Sequence, residues 1–385
     1  NILRRPTAMS ALYIHVPFCK TRCNYCDFYK STSRAETEVY IEALEREMEY
    51  RHAYFGSDPV ETIFFAGGTP SLDRPATLQR LIDKARSLWR VAPSAEITAE
   101  MNPDDITAPF LDELAATDIN RISFGVQSFV DRDLRLLGRR HDARQAAEAI
   151  RHVQERGFDN ISLDLIFGIP GMSAVEWEGN VRQAAALGIR HLSAYCLTIA
   201  EGTPFGKMVD AGKLVTASDE TCEEQFLLCH RILADHGFHH YEISNYARGE
   251  AFRSRHNWAY WNGTPYLGLG PSAHSYDGDL RIHAVDDLGQ YLRLAGTEHI
   301  YETERLSPAD KYNEYIMTAL RTDRGVSRAA LARRFGPQGV QHFEASAEQH
   351  IRTGDIIREA TGYRIPPQKF MISNRIISDL FYIEA

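Results

Sequence analysis

His15-Val-Pro-Phe-Cys19-Lys-Thr-Arg-Cys23-Asn-Tyr-Cys26 places three cysteines three and then two residues apart, directly after a short apolar run at 13–16. Three thiolates can wrap one face of an iron–sulfur cubane. Four would saturate a [4Fe–4S] cluster, whereas three leave one iron with an open coordination position. S-adenosylmethionine, with its amino and carboxylate groups, can chelate that iron. An electron from the cluster then cleaves the sulfonium to methionine and a 5′-deoxyadenosyl radical. A zinc site would normally recruit a fourth Cys or His at loop spacing, and only His15 is near. The three-then-two spacing is unusual for zinc, and Tyr25, beside the last cysteine, suits stacking on an adenine. Cys196, Cys222 and Cys229 have no ligand spacing among themselves and read as small buried hydrophobes.

Working outward from this loop, short apolar runs recur at 13–16, 62–65, 96–100, 121–126, 161–167 and 191–197. Amphipathic stretches at 36–54, 75–89, 143–156 and 174–187 separate them, so strand and helix alternate. Alternation implies a parallel sheet in an α/β fold. Right-handed crossovers curl such a sheet, and six units rather than eight predict an incomplete, TIM-like (β/α)6 barrel. Function should gather at the strand C-terminal ends, where 15–26, Gly67-Gly68-Thr69, Glu100, Gln127 and 168–170 fall. Past about residue 205 the alternation gives way to a helix at 219–236 and an aromatic, Gly-rich stretch at 239–276. From 306 onward come helices at 308–320, 328–335 and 343–353 and a short strand pair at 356–357 and 363–365, the order of a small winged-helix-like α+β domain. The expected division is therefore 1–205 for the partial barrel, 206–300 for an extension and 301–385 for the C-terminal domain.

With 385 residues the chain is long enough for more than one domain, and 44% hydrophobic with 25% charged residues supports a full core. A net charge of -9 disfavours nucleic acid and anionic lipid as partners. The 12 basic and 11 acidic residues of 301–385 argue against DNA binding even by a winged helix, leaving packing or partner docking. No run reaches the ~18 apolar residues of a membrane span. Residues 1–11 lack the apolar centre of a signal peptide, so a cytoplasmic location is the default expectation. A homodimer and a peripheral membrane contact are both compatible with this composition.

The cysteine loop resembles that of the radical SAM superfamily, and Tyr13-Ile-His-Val-Pro-Phe-Cys19 is similar to the oxygen-independent coproporphyrinogen III oxidase group. Further matches follow in order: Phe65-Ala-Gly-Gly-Thr-Pro-Ser71, Glu100-Met-Asn-Pro103, Ser123-Phe-Gly-Val-Gln-Ser-Phe129, Leu137-Gly-Arg-Arg-His-Asp142 and Asp164-Leu-Ile-Phe-Gly-Ile-Pro170. The resemblance covers most of the chain. It implies S-adenosylmethionine contacts from Tyr13, Tyr25, Gly67, Gly68, Thr69, Glu100, Gln127, Arg139 and Asp164. Arg139 can pair the methionine carboxylate, while Glu100 and Asp164 can accept from amino or ribose hydroxyl groups. For Glu100, Gln127 or Asp164 taken alone, a mutually satisfied polar barrel interior is an equal reading.

Within this group the true oxidases differ from the HemW haem chaperones. In the oxidases a further Cys follows the third cluster cysteine by two residues, where this chain has Phe28. They also carry an extension before the first strand, which this sequence reaches within about a dozen residues. His256-Asn257-Trp-Ala-Tyr260-Trp261 resembles the H-N-x-x-Y-W haem motif of HemW proteins. That resemblance makes His256 the candidate axial ligand, with Tyr260 and Trp261 against the macrocycle; three aromatics in one loop can equally form a hydrophobic plug. His274, in Gly268-Leu-Gly-Pro-Ser-Ala-His274-Ser-Tyr276, is a second ligand candidate. The expected function is binding of haem and its transfer to haem-accepting proteins such as respiratory enzymes. The alternative is a radical SAM oxidoreductase acting on a porphyrin.

Overall fold

The structure, a computed structural model, describes residues 10–382; the reading of 1–11 as lacking a signal peptide falls almost wholly outside them. Six strands, β1 (Ser10–Val16), β2 (Val60–Gly67), β3 (Val91–Met101), β4 (Arg121–Gln127), β5 (Ile161–Phe167) and β6 (His191–Cys196), run parallel in sequence order. Their pairing is consecutive, from Leu12 beside Ile63 to Ile166 beside Tyr195. The helices Thr37–Tyr50, Pro75–Leu88, Ala143–Glu155 and Ala174–Ala186 form the crossovers, with shorter helices Ala108–Leu114 and Asp131–Leu137 in the third and fourth. This is the partial, TIM-like barrel that the alternation predicts.

Strand alternation gives the barrel two unlike faces. Leu12, Ile14, Ile63, Phe65, Ile122, Phe124, Leu163, Leu165 and Leu192 are buried beneath the helices. The opposite face carries Tyr13, Glu100, Arg121, Ser123, Ser162, Asp164, His191, Ser193 and Tyr195, which line cavities. Closed barrels of this kind fill their interior with layers of branched apolar side chains. Here the interior is polar and hollow.

Beyond the six strands the sheet continues at both edges, which the sequence pattern does not reveal. β7 (His239–Glu242) and β8 (Asn245–Ala247) form a hairpin whose β8 pairs antiparallel with β6. At the other edge β9 (Tyr266–Leu269) lies parallel to β1, followed by β10 (His274–Tyr276), β11 (Leu280–Ala284) and β12 (Tyr301–Arg305). Twelve strands thus share one sheet. Residues 301–305, grouped by the sequence with the C-terminal unit, are its outermost strand.

The remaining C-terminal residues form the helix Pro308–Ala319, a long helical stretch Arg328–Arg352 and three short antiparallel strands, Val326–Ser327, Ile357–Arg358 and Gly362–Arg364. This is the expected winged-helix-like arrangement. The two helices expected at 328–335 and 343–353 meet at a break where Gly336 adopts φ 67°, with Pro337 opening the second.

Candidate functional site

The cysteine loop leaves β1 at its C-terminal end and is tied down along its length. Cys19 N donates to Ser31 O at 2.9 Å, and Asn24 N donates to Leu137 O at 3.0 Å. The Asn24 amide adds a bond to Leu136 O at 2.8 Å, so the loop is strapped to the turn that carries Arg139. Cys19, Cys23 and Cys26 edge a cavity of about 440 Å³ at this end of the barrel. Tyr25, Gly67, Gly68, Thr69, Glu100, Gln127, Arg139 and Asp164 line the same cavity. Eleven residues drawn from six separate sequence segments therefore meet in one place. Tyr13 does not join them; it lines the chamber below.

The thiols suit a cluster better than a single ion. Both nitrogens of His15, the nearest fourth ligand for zinc, are taken: Nδ1 pairs with Tyr13 OH at 3.1 Å and Nε2 with Tyr29 O at 3.0 Å. The Thr69 hydroxyl donates to Cys19 Sγ at 3.5 Å and Arg139 Nη1 to Cys23 Sγ at 3.4 Å. Hydrogen bonds to ligand sulfurs are a principal means by which proteins hold and tune iron–sulfur clusters. Burial pushes the Cys19 thiol up and the Thr69 hydroxyl opposes it. The donor set fits a [4Fe–4S] cluster.

Gly67 and Gly68 are required by packing within the chain. A Cβ on Gly67, which has φ 101°, would lie 2.4 Å from the His15 ring. One on Gly68 would lie 2.5 Å from Val16 O and 2.6 Å from Phe18 O. Only glycines let β2 end flush against the cysteine loop. Gln127 adopts φ 69°, the left-handed region that side chains seldom enter, beside a bulge at Gly125.

Asn102, in the Glu100-Met-Asn-Pro103 segment and with nothing in its residue type to mark it as a site residue, joins the two sides of the cavity. Its amide donates to Thr69 Oγ1 at 3.3 Å, and its carbonyl oxygen accepts from Arg139 Nη2. Arg139 Nη2 also donates to Gly125 O at 2.6 Å, while its buried Nε has no partner. Burial and the neighbouring Asp164 push the Glu100 carboxyl up to about 8. Burial raises Asp164 to about 6. Such perturbed acids in a concave site make it a candidate functional site.

Below this cavity, across Gly67, Glu100, Asp164, Tyr195 and Phe28, lies a second chamber of about 220 Å³. The helix Arg255–Trp261 seals its floor. Glu96, midway along β3, accepts from the backbone N–H of Arg255 at 3.2 Å and of His256 at 3.1 Å, a carboxylate at a helix N-terminus. His256 is 1% exposed. Its Nδ1 pairs with Thr62 Oγ1 at 2.8 Å and its Nε2 with Tyr260 OH at 3.0 Å. The ring stacks on Phe64 at 4.8 Å, and burial holds it neutral, down to about 3. In this conformation both ring nitrogens of His256 are engaged within the protein.

His274 is placed differently. It is exposed on β10, its ring stacked at 4.4 Å on its cross-strand partner His283, whose Nε2 pairs with Asp286 Oδ1 at 3.1 Å. Cys196 and Cys222 are neighbours beside Gly168, whose added Cβ would lie 3.5 and 3.0 Å from their sulfurs. Cys229 is fully buried.

Residues 13–184 match the radical SAM superfamily profile, and residues 306–371 match the HemN C-terminal domain. The heme chaperone HemW of Bacillus subtilis is 34% identical over 332 residues, 85% of this chain and 87% of that protein. The chain belongs to the HemW family. A second member, the heme chaperone HemW of Synechocystis, is 36% identical over 84% of this chain and 80% of its own length. The structure of coproporphyrinogen III oxidase (HemN) from Escherichia coli, a radical SAM enzyme, superposes with a TM-score of 0.83. It covers 98% of this chain and 91% of its own at 22% identity, so the two share a fold. Radical SAM membership implies a [4Fe–4S] cluster and S-adenosylmethionine. Among the described residues no helix is long and apolar enough to cross a membrane. In this HemW-family chain Phe28, two residues after Cys26, is 67% exposed and lines both cavities.

Proposed function

We propose that this chain is a haem chaperone that holds a [4Fe–4S] cluster on Cys19, Cys23 and Cys26, binds S-adenosylmethionine in the adjoining cavity and passes haem to haemoproteins. The observation that carries the proposal is the identity of 34% and 36%, over more than four-fifths of the chain, to proteins named heme chaperones. When bound, the cluster supplies the electron that cleaves the sulfonium of S-adenosylmethionine. The protein's own part is positional. Thr69 and Arg139 orient two of the ligand sulfurs, Asn102 locks those two residues together, and Glu100 and Asp164 face the polar end of the ligand.

Haem ligation by His256 would require its Nε2 to give up Tyr260 on the same helix, or the Arg255–Trp261 helix to leave its seat and break the bond from Nδ1 to Thr62. Exposed His274, beside His283, needs no such movement. Phe28, exposed at the rim, offers an apolar face to a macrocycle. Anaerobically reconstituted protein loaded with haem should transfer it to an apo-haemoprotein, with the Soret band moving to the acceptor, while 5′-deoxyadenosine is measured in the same sample. Conversion of coproporphyrinogen III to protoporphyrinogen IX by the same preparation would instead establish the porphyrin-directed enzyme and remove the chaperone reading.

A further inference from the structure

We propose that the lower chamber is a carboxylate-binding site in which Arg121 receives the acid end of a short arm of a ligand whose body occupies the cofactor cavity above. Arg121 opens β4, is 2% exposed and lines the chamber. A guanidinium has five N–H donors. One of these, on Nη1, reaches Asn160 Oδ1 at 3.0 Å, and the buried Nε has no partner at all. No carboxylate of the described residues lies within ion-pair distance of it. Asp164, the nearest acid on the neighbouring strand, is held by the Ser123 hydroxyl at 3.4 Å. A charged donor kept unpaired in the interior costs stability, and the cost is recovered when an anion arrives.

Size and charge narrow the anion. A chamber of about 220 Å³ has room for a short acyl chain and its carboxylate. One guanidinium matches one negative charge. A dianionic phosphate would keep one charge uncompensated, whereas a monocarboxylate can take the planar fork of Arg121 in a bidentate pair. The ligand enters from above, because Gly67, Glu100, Asp164 and Tyr195 line both spaces and the helix carrying His256 closes the floor. The site is therefore built for a carboxylate-tailed molecule that reaches past S-adenosylmethionine into the barrel, and it does not depend on the haem reading.

Sodium propionate and its uncharged isostere propionamide test this on the reconstituted full chain without added S-adenosylmethionine, at constant ionic strength, by ligand-observed NMR and thermal melting. Propionate should bind saturably and raise the melting midpoint, and propionamide should do neither. Arg121→Gln should weaken propionate binding by about tenfold or more, as loss of a charge-assisted fork does. Where Arg121→Gln does not fold, Ser123→Leu fills the chamber with the guanidinium in place and should abolish the propionate effect. Equal responses to propionate and propionamide, or undiminished propionate binding in either variant, would show that Arg121 does not select a carboxylate in the chamber and would overturn the proposal.

Discussion

Replacing His256 by alanine separates a structural from a ligating role for the H-N-x-x-Y-W motif. The imidazole makes two hydrogen bonds inside the barrel, to Thr62 and Tyr260, and stacks on Phe64. Deletion leaves the Thr62 hydroxyl, itself 3% exposed, without this partner, at about 1–3 kcal/mol for a buried polar group. The lost ring contact adds roughly 0.5–1.5 kcal/mol, and the cavity left behind adds its own penalty, for a total of roughly 3–5 kcal/mol. That is a large share of the ~5–15 kcal/mol by which domains are stable. The deficit should appear as a lower urea midpoint and a melting point lower by several degrees, and His256→Gln, which can still hydrogen-bond, should recover part of it.

The deficit also has a pH signature. His256 is held near 3 in the folded state against an ordinary 6.5, so the unfolded chain binds the extra proton between those values. Its stabilising contribution is therefore full above pH 6.5 and is lost as pH falls toward 3, and the gap between wild type and His256→Ala must narrow on acidification. A haem titration completes the test. If His256→Ala melts like the wild type while the Soret band of added haem is lost, the plug interpretation fails and iron ligation by His256 takes its place.

Three other perturbations bear on the upper cavity. Gly68→Ala drives a Cβ into the backbone of Val16 and Phe18, so it should cost about 1–3 kcal/mol and lower the iron content after reconstitution; wild-type iron loading would contradict the packing role of this glycine. Arg139→Gln removes the donor to Cys23 Sγ and should weaken S-adenosylmethionine binding by about tenfold, read from the perturbation of the reduced cluster's electron paramagnetic resonance spectrum; an unchanged titration would place the methionine carboxylate elsewhere. Glu100, raised to about 8 from an ordinary 4.5, favours folding while protonated, a contribution complete below 4.5 and lost as pH rises through 8. Glu100→Gln should accordingly gain stability over the wild type between about pH 5 and about pH 9 in denaturant titrations of the cluster-free chain; parallel pH profiles would show that the carboxyl is not held protonated.

How far the sequence discloses this molecule depends on whether residue type or surroundings carry the information. Cys19, Cys23 and Cys26 are legible because only thiolates ligate iron in this way, and their spacing is set by the geometry of one loop. The six parallel strands are legible because each is long enough to show apolar periodicity against an intervening helix. β7 through β12 have three to five residues each, too few for a period to declare itself, and the two pairings that join them to the barrel, β8 to β6 and β9 to β1, span distant parts of the chain. Tyr13 matches a motif whose other members converge on the upper cavity, yet strand alternation turns it into the chamber beneath.

The same distinction explains His256 and Arg121, which the sequence treats in opposite ways. A motif makes His256 conspicuous, but a motif records which residues are present and not what surrounds them; Thr62 lies 194 positions away from the ring nitrogen it occupies. Arg121 belongs to no motif and looks like any charged residue at the start of a strand. Its peculiarity exists only after folding, when β4 carries it into a hollow barrel and leaves Asp164, the acid on the neighbouring strand, near enough to feel its charge but outside ion-pair distance. A conspicuous histidine proves to be satisfied, and an inconspicuous arginine is left unpaired. Since an unmade charged hydrogen bond costs more than a made one gains, the unsatisfied group is the better guide to where a ligand must sit, and the floor of this site is more informative at Arg121 than at His256.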